Sequence, residues 1–176
     1  MRFQPLSVEG AFVVELEPIN DERGFFARSW AASEFGSRGL DPDLLQVSIS
    51  YNARAGTVRG MHFQLAPHEE TKLVRCTSGA IFDVVVDLRR DSPTFRRFET
   101  VNLTAGNRKS LYIPKGCAHG FQTVEDDTEV LYQISAEYAP DVARGVRWND
   151  PAFGIAWPMT PTCISAKDQA FPDFKG

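Results

Sequence analysis

Strand-like runs recur along the whole chain, each cut short by Gly, Pro, Asn or Asp, and this rhythm constrains the fold most. The runs are AFVVELE, LLQVSISYN, TVRGMHFQ, TKLVRCT, AIFDVVVDL, RFETVNLT, KSLYIP, GFQTV and EVLYQISAEY. Only two short helices are expected between them, at AASEFGSRG (31–39) and near SAKDQAF (165–171). CTSGAIF reads as a tight hairpin with Ser78 and Gly79 in the turn. So many strands would leave exposed edges unless the sheets close or pack face to face. The expectation is therefore an all-β barrel or double-sheet jelly roll. With 176 residues and no repeat, low-complexity tract or linker, residues 1–176 read as a single domain.

Side chains alternate along a strand, so parity predicts which of them share a face. Lys72 falls with Val74 and Cys76, Tyr132 with Val130 and Ile134, and His62 with Val58 and Gln64. If the apolar neighbours mark the interior, a lysine, a tyrosine and a histidine project into one cavity. Burying a lysine that has no task is costly. Arg59 has the opposite parity to His62, but a bulge at Gly60 would turn both inward.

The net charge of −4 argues against a nucleic-acid binder, which presents a basic face. The N-terminal sequence MRFQPLSVEGAFVVELEP has no apolar core of signal-peptide length, and no run approaches a membrane span. Three cysteines, Cys76, Cys117 and Cys163, without a CxxC pair read as reduced thiols of a cytoplasmic protein.

A metal is not expected. IPKGCAHGF resembles the PxGxxH half of a cupin signature, but HFQ places Gln64 where the second histidine of HxH belongs. His68 follows a proline in a loop and reads as solvated. There is no GxSxG elbow, and Cys76 and Cys117 lie among apolar residues as small core side chains would. Taken singly, His62, Lys72 and Tyr132 each have a structural explanation: a satisfied histidine, a snorkelling lysine, a packed tyrosine. Together in one cavity they form a base, an oxyanion stabiliser and an acid. Both readings stay open on parity alone.

DERGFF, VRGMHFQ, KLVRCTSGAIFDVVVDLRRDSPT, IPKGCAHGF, WNDP and SAKD follow one another in order over nearly the whole chain. The set resembles the dTDP-4-dehydrorhamnose 3,5-epimerase family of deoxysugar biosynthesis, metal-free cupins. The resemblance implies a cupin-type double-stranded β-helix that needs no cofactor. It implies an isomerase that inverts C3 and C5 of a nucleoside-diphospho-4-keto-6-deoxyhexose of the dTDP-4-keto-6-deoxyglucose type. The product would be a rhamnose-like sugar for cell-surface polysaccharide, and the enzyme a homodimer with its early DERGFF strand near the partner's site.

By the same resemblance His62 is the base beside the C4 ketone, and Asp168 the carboxylate that orients it. Lys72 stabilises the C4 oxyanion, and Tyr132 returns a proton from the opposite ring face. Arg59 and His119 line the sugar and phosphate site, Arg23 binds substrate, and Lys167 precedes the dyad aspartate. Tyr138 stacks on the nucleobase, and Asp83 lies near the constellation. Gln46 and Ser48 occupy the family's Q-x-N-x-S strand, with Ser48 in place of the asparagine. Arg28, Gln133 and Ala143 also depart from the pattern, replacing a glutamate, a lysine and a glutamate. The alternatives are a single-carbon epimerase on a differently based sugar nucleotide, a non-catalytic sugar-nucleotide-binding cupin, and a metal-dependent oxygenase.

Overall fold

In the computed structural model, which describes residues 1–175, alternation along the strands separates two packed faces. In chain order the elements are β1 (Arg2–Pro5), β2 (Phe12–Glu15), β3 (Ile19–Asp21), β4 (Gly24–Phe26), α1 (Ala32–Gly36) and β5 (Gln46–Asn52). Then come β6 (Thr57–Gln64), β7 (Lys72–Ser78), β8 (Ala80–Asp87), β9 (Phe98–Thr104), β10 (Ser110–Ile113) and β11 (Cys117–Thr123). The chain finishes with β12 (Thr128–Ile134), β13 (Ala143–Gly145), β14 (Cys163–Ile164) and α2 (Ala166–Gln169).

One sheet runs β1-β2-β10-β7-β12-β5 and the other β13-β6-β11-β8-β9, with β14 alongside β6. All pairings are antiparallel except β14 with β6. This is the expected all-β cupin jelly roll, and both helices fall where the sequence places them. The hairpin expected at Ser78 and Gly79 does not form. β7 pairs with β10 and β12, and β8 with β11 and β9, so the chain crosses between sheets at Gly79. Both edges of each strand are taken by more distant segments. Gly79 has φ +72°, and a Cβ there would lie 2.4 Å from Thr128 Oγ1.

Val74, Cys76, Ile81, Val85, Leu111, Phe121 and Val130 fill the space between the sheets. Met61, Val84, Val86, Val146 and Phe153 pack a second layer, and Phe35 covers Val14, Leu73 and Tyr112 in a third. Removal of these side chains from water is the main stabilising term. Cys76 and Cys117 belong to the first layer, and burial pushes their thiols up to about 11 and about 12. Neither is a nucleophile at neutral pH.

Candidate active site

Between the sheets lies a cavity of about 370 Å³, lined from β5, β6, β7, β11, β12 and β13. β6 contributes two side chains that a regular strand could not aim together. Arg59 pairs with Phe121 and His62 with His119, so β6 has one more residue than β11 between these points. The bulge expected at Gly60 is therefore present. Gly60 has φ +128°, and a Cβ there would lie 2.5 Å from Gly120 Cα. A Cβ on Gly120 would in turn meet Met61 Sδ at 2.6 Å. Two facing glycines thus let the strands approach. The bulge also corrects the parity reading. Val58 pairs with Gln122, whose amide bonds Met159, and so it faces away from the cavity while Gln64 lines it with His62.

His62 is half-buried, and its Nε2 lies 2.8 Å from Asp168 Oδ1. Asp168 is buried in α2, where its N–H donates to the cap Ser165 Oγ, and its Oδ2 accepts from Gly60 N–H at 3.2 Å. Burial pushes the Asp168 carboxyl up, but the bond and charge of His62 and the Gly60 N–H outweigh it and hold the group below its usual value. An ionised carboxylate only accepts, so His62 Nε2 carries the hydrogen and Nδ1 keeps its lone pair. Among the described residues Nδ1 has no protein partner. Phe171 packs edge-on against the imidazole, 5.8 Å between ring centres, in space left by Gly145.

Lys72 and Tyr132 enter from the opposite sheet. Lys72 is buried, with Nζ 3.0 Å from Glu70 Oε1 and donating to His62 O at 3.2 Å. Burial, and then the charge of Asp83, raises the Tyr132 phenol above its usual value; Arg59 opposes this. The Tyr132 ring stands edge-on to His119, and His119 Nε2–H donates to Asp83 Oδ1 at 2.6 Å. Asp83 is fully buried and, unlike the other candidate binding residues on this strand pair, does not line the cavity, and among the described residues its Oδ2 has no partner.

The remaining candidates divide. Gln46, Ser48, Arg59, His119, Tyr138 and Lys167 all line the cavity. Arg59 is tied back to β5 through Asn52 Oδ1 and Tyr51 O. Tyr138 lies exposed at the rim. Arg23 does not line this cavity. It sits in the β3–β4 hairpin, 83% exposed and paired with Asp21. Sequence reasoning missed Glu70, Phe171 and Arg144. Among the described residues Arg59, Lys72, Arg144 and Lys167 line the cavity with a single carboxylate, Glu70, so the cavity suits an anionic ligand.

His62 is held by Asp168, His119 by Asp83, and the Gln64 amide by His68 O, Glu137 O and Ala139 N. Among the described residues no three His, Cys, Asp or Glu side chains form a ligand group, and no helix is long and apolar enough to cross a membrane.

The family model for dTDP-4-dehydrorhamnose 3,5-epimerase matches residues 5–176. A dTDP-4-dehydrorhamnose 3,5-epimerase of Sinorhizobium fredii is 42% identical over 173 residues, covering 98% of this chain and 89% of its own. The crystal structure of the Bacillus anthracis enzyme of that name, with TDP and pyrophosphate bound, superposes with a TM-score of 0.94 at 40% identity. It covers 98% of this chain and 99% of its own. A 3'-monoepimerase from Streptomyces bikiniensis in complex with dTDP-quinovose superposes with a TM-score of 0.88 at 35% identity, covering 96% and 86%.

Proposed function

The chain belongs to the dTDP-4-dehydrorhamnose 3,5-epimerase family, and we propose that His62, Asp168, Lys72 and Tyr132 carry out its reaction. The protein is an isomerase that epimerises C3 and C5 of a dTDP-4-keto-6-deoxyhexose in rhamnose-type deoxysugar biosynthesis. One observation carries the assignment of residues. His62 and Tyr132 face the cavity from opposite sheets, so a sugar ring held between them meets a base on one face and an acid on the other.

A C–H beside a ketone is weakly acidic because its loss places negative charge on the ketone oxygen. Nδ1 of His62 takes the proton, and Asp168 stabilises the imidazolium that results. Lys72 stabilises the charge growing on the C4 oxygen. Tyr132, kept protonated by burial and by Asp83, returns a proton from the other face, and the carbon is inverted. Both carbons flank one ketone, so one set of groups serves each in turn, once His62 has passed its proton to solvent and Tyr132 has regained one from it. Arg59, His119 and Lys167 hold the diphosphate, Gln46 and Ser48 bind the nucleotide, and Tyr138 stacks on its base.

The active form is a homodimer. β5 is a sheet edge, and Leu45 just before it and Val47, Ile49 and Tyr51 along it stand exposed, Ile49 at the cavity mouth, with Ile19 and Phe26 exposed on the nearby-in-sequence β3–β4 hairpin. Such an apolar edge calls for a cover. A second copy would supply it and would receive Arg23 at its own cavity. Free Cys76, Cys117 and Cys163 fit a cytoplasmic enzyme, in which one cupin domain takes up residues 1–176.

The test of the base is His62→Ala. The variant is expected to melt within a few degrees of wild type and to lose solvent-proton exchange at both carbons. Exchange at the wild-type rate would remove His62 from the mechanism.

A further inference from the structure

We infer that Glu70 is a positioning residue that aims the Lys72 ammonium at the substrate's C4 oxygen. The inference rests on the assignment of Lys72 as oxyanion stabiliser. Among the described residues Glu70 is the one carboxylate lining the cavity, and its side chain is only 8% exposed. An ammonium carries three N–H donors and no acceptor. At Lys72 one donor goes to Glu70 Oε1 at 3.0 Å and a second to His62 O at 3.2 Å. The third is left for the cavity. Two fixed partners on a tetrahedral nitrogen leave the remaining N–H little freedom, and a four-carbon chain has no other means of holding that direction.

Glu70 is itself held. It lies in the loop between β6 and β7, where Gln64 Nε2 donates to His68 O at 2.8 Å and His68 N–H donates to Leu65 O. Thr71 N–H donates to Ser135 Oγ at 2.9 Å, fixing the other end. A carboxylate beside a site for a diphosphate opposes substrate binding, so affinity does not explain its presence. Direction at the transition state does.

The experiment is a double-mutant cycle on the full chain with dTDP-4-keto-6-deoxyglucose in D2O. It uses wild type, Glu70→Gln, Lys72→Met and the double variant, each with its melting temperature. Glu70→Gln keeps the length of the side chain but replaces the charged acceptor that fixes the ammonium by a weaker neutral amide, free to turn its NH2 towards Lys72. It is expected to lower kcat for exchange about tenfold while KM does not rise, as for an interaction realised in the transition state. In the Lys72→Met background the same substitution is expected to change nothing further, because its effect passes through Lys72. A purely structural Glu70 would move the melting temperature and leave kcat alone, which would overturn the inference. So would an equal loss of kcat in both backgrounds. If Lys72→Met itself exchanges at the wild-type rate, the assignment of Lys72 fails, and the positioning role fails with it. A slow Lys72→Met beside a normal Glu70→Gln removes only the role of Glu70.

Discussion

A tyrosine that merely packs and a tyrosine that donates a proton differ in what their hydroxyl does, and Tyr132→Phe separates them. The ring stays against His119 and the core, and only the proton is lost. The variant is expected to keep measurable deuterium exchange, because His62 still abstracts, while net inversion falls much further. Unaltered product stereochemistry at the wild-type rate would make Tyr132 a packing residue, whose hydroxyl is worth only about 1 kcal/mol of stability. Asp168→Asn is expected to be milder than loss of the imidazole, since orientation and charge go but Nδ1 remains; an unchanged kcat would contradict the dyad. At this scale His62, Lys72 and Tyr132 are legible because an ionisable group on an apolar face is anomalous in sequence. Glu70 is not, since a glutamate in HEET reads as solvated loop, and only the fold brings its carboxylate to Lys72. Phe171 is hidden for a similar reason: it follows α2, and nothing local says that it reaches His62.

One element decides where the chemistry sits. β6 must hold its bulge, so Gly60→Ala, strained at φ +128° and pressed to 2.5 Å of Gly120 Cα, is expected to destabilise the protein and displace His62 and Arg59 together. Wild-type kcat and melting temperature in that variant would show that the close approach is dispensable. The turn after β8 carries a different load. Asp87 is fully buried; burial alone would raise its carboxyl, but Arg89, Ser92 and Thr94 hold it down at about 2. A depressed carboxyl stabilises above its unfolded value and loses that contribution as pH falls through the folded one. The shift corresponds to about 2 kcal/mol, lost between about pH 4 and about pH 2. Asp87→Asn is expected to lower the melting temperature at neutral pH and to flatten its fall over that acid interval. An unchanged acid limb would show that other groups set it. Strand positions are legible from composition, and the bulge from the conflict between Arg59 and His62. The partners of β7 and β8 are not, because short runs joined by a Ser-Gly turn suit a hairpin as well as a crossing between sheets. Parity misplaces Val58 because it propagates only through a regular strand.

Among the described residues the β5 edge is apolar and uncovered, and the dimer is proposed from that edge. Light scattering at micromolar concentration is expected to give a dimer, and Leu45→Lys with Val47→Asp, exposed at the start of β5 and outside the cavity lining, to give a folded monomer of reduced activity. A wild-type monomer with full activity would contradict it. The closed double-sheet architecture is legible from the strand rhythm and the function from six ordered motifs, whereas the cavity's shape depends on pairings far apart in sequence. The central claim is that one cavity inverts both carbons flanking a ketone by taking a proton on one face and returning it on the other. The most direct measurement is incubation of the purified protein with dTDP-4-keto-6-deoxyglucose in D2O, with the deuterium located by NMR. Deuterium at both C3 and C5 in a doubly inverted sugar is the predicted result. Deuterium confined to one carbon, or a substrate recovered without label, would contradict it.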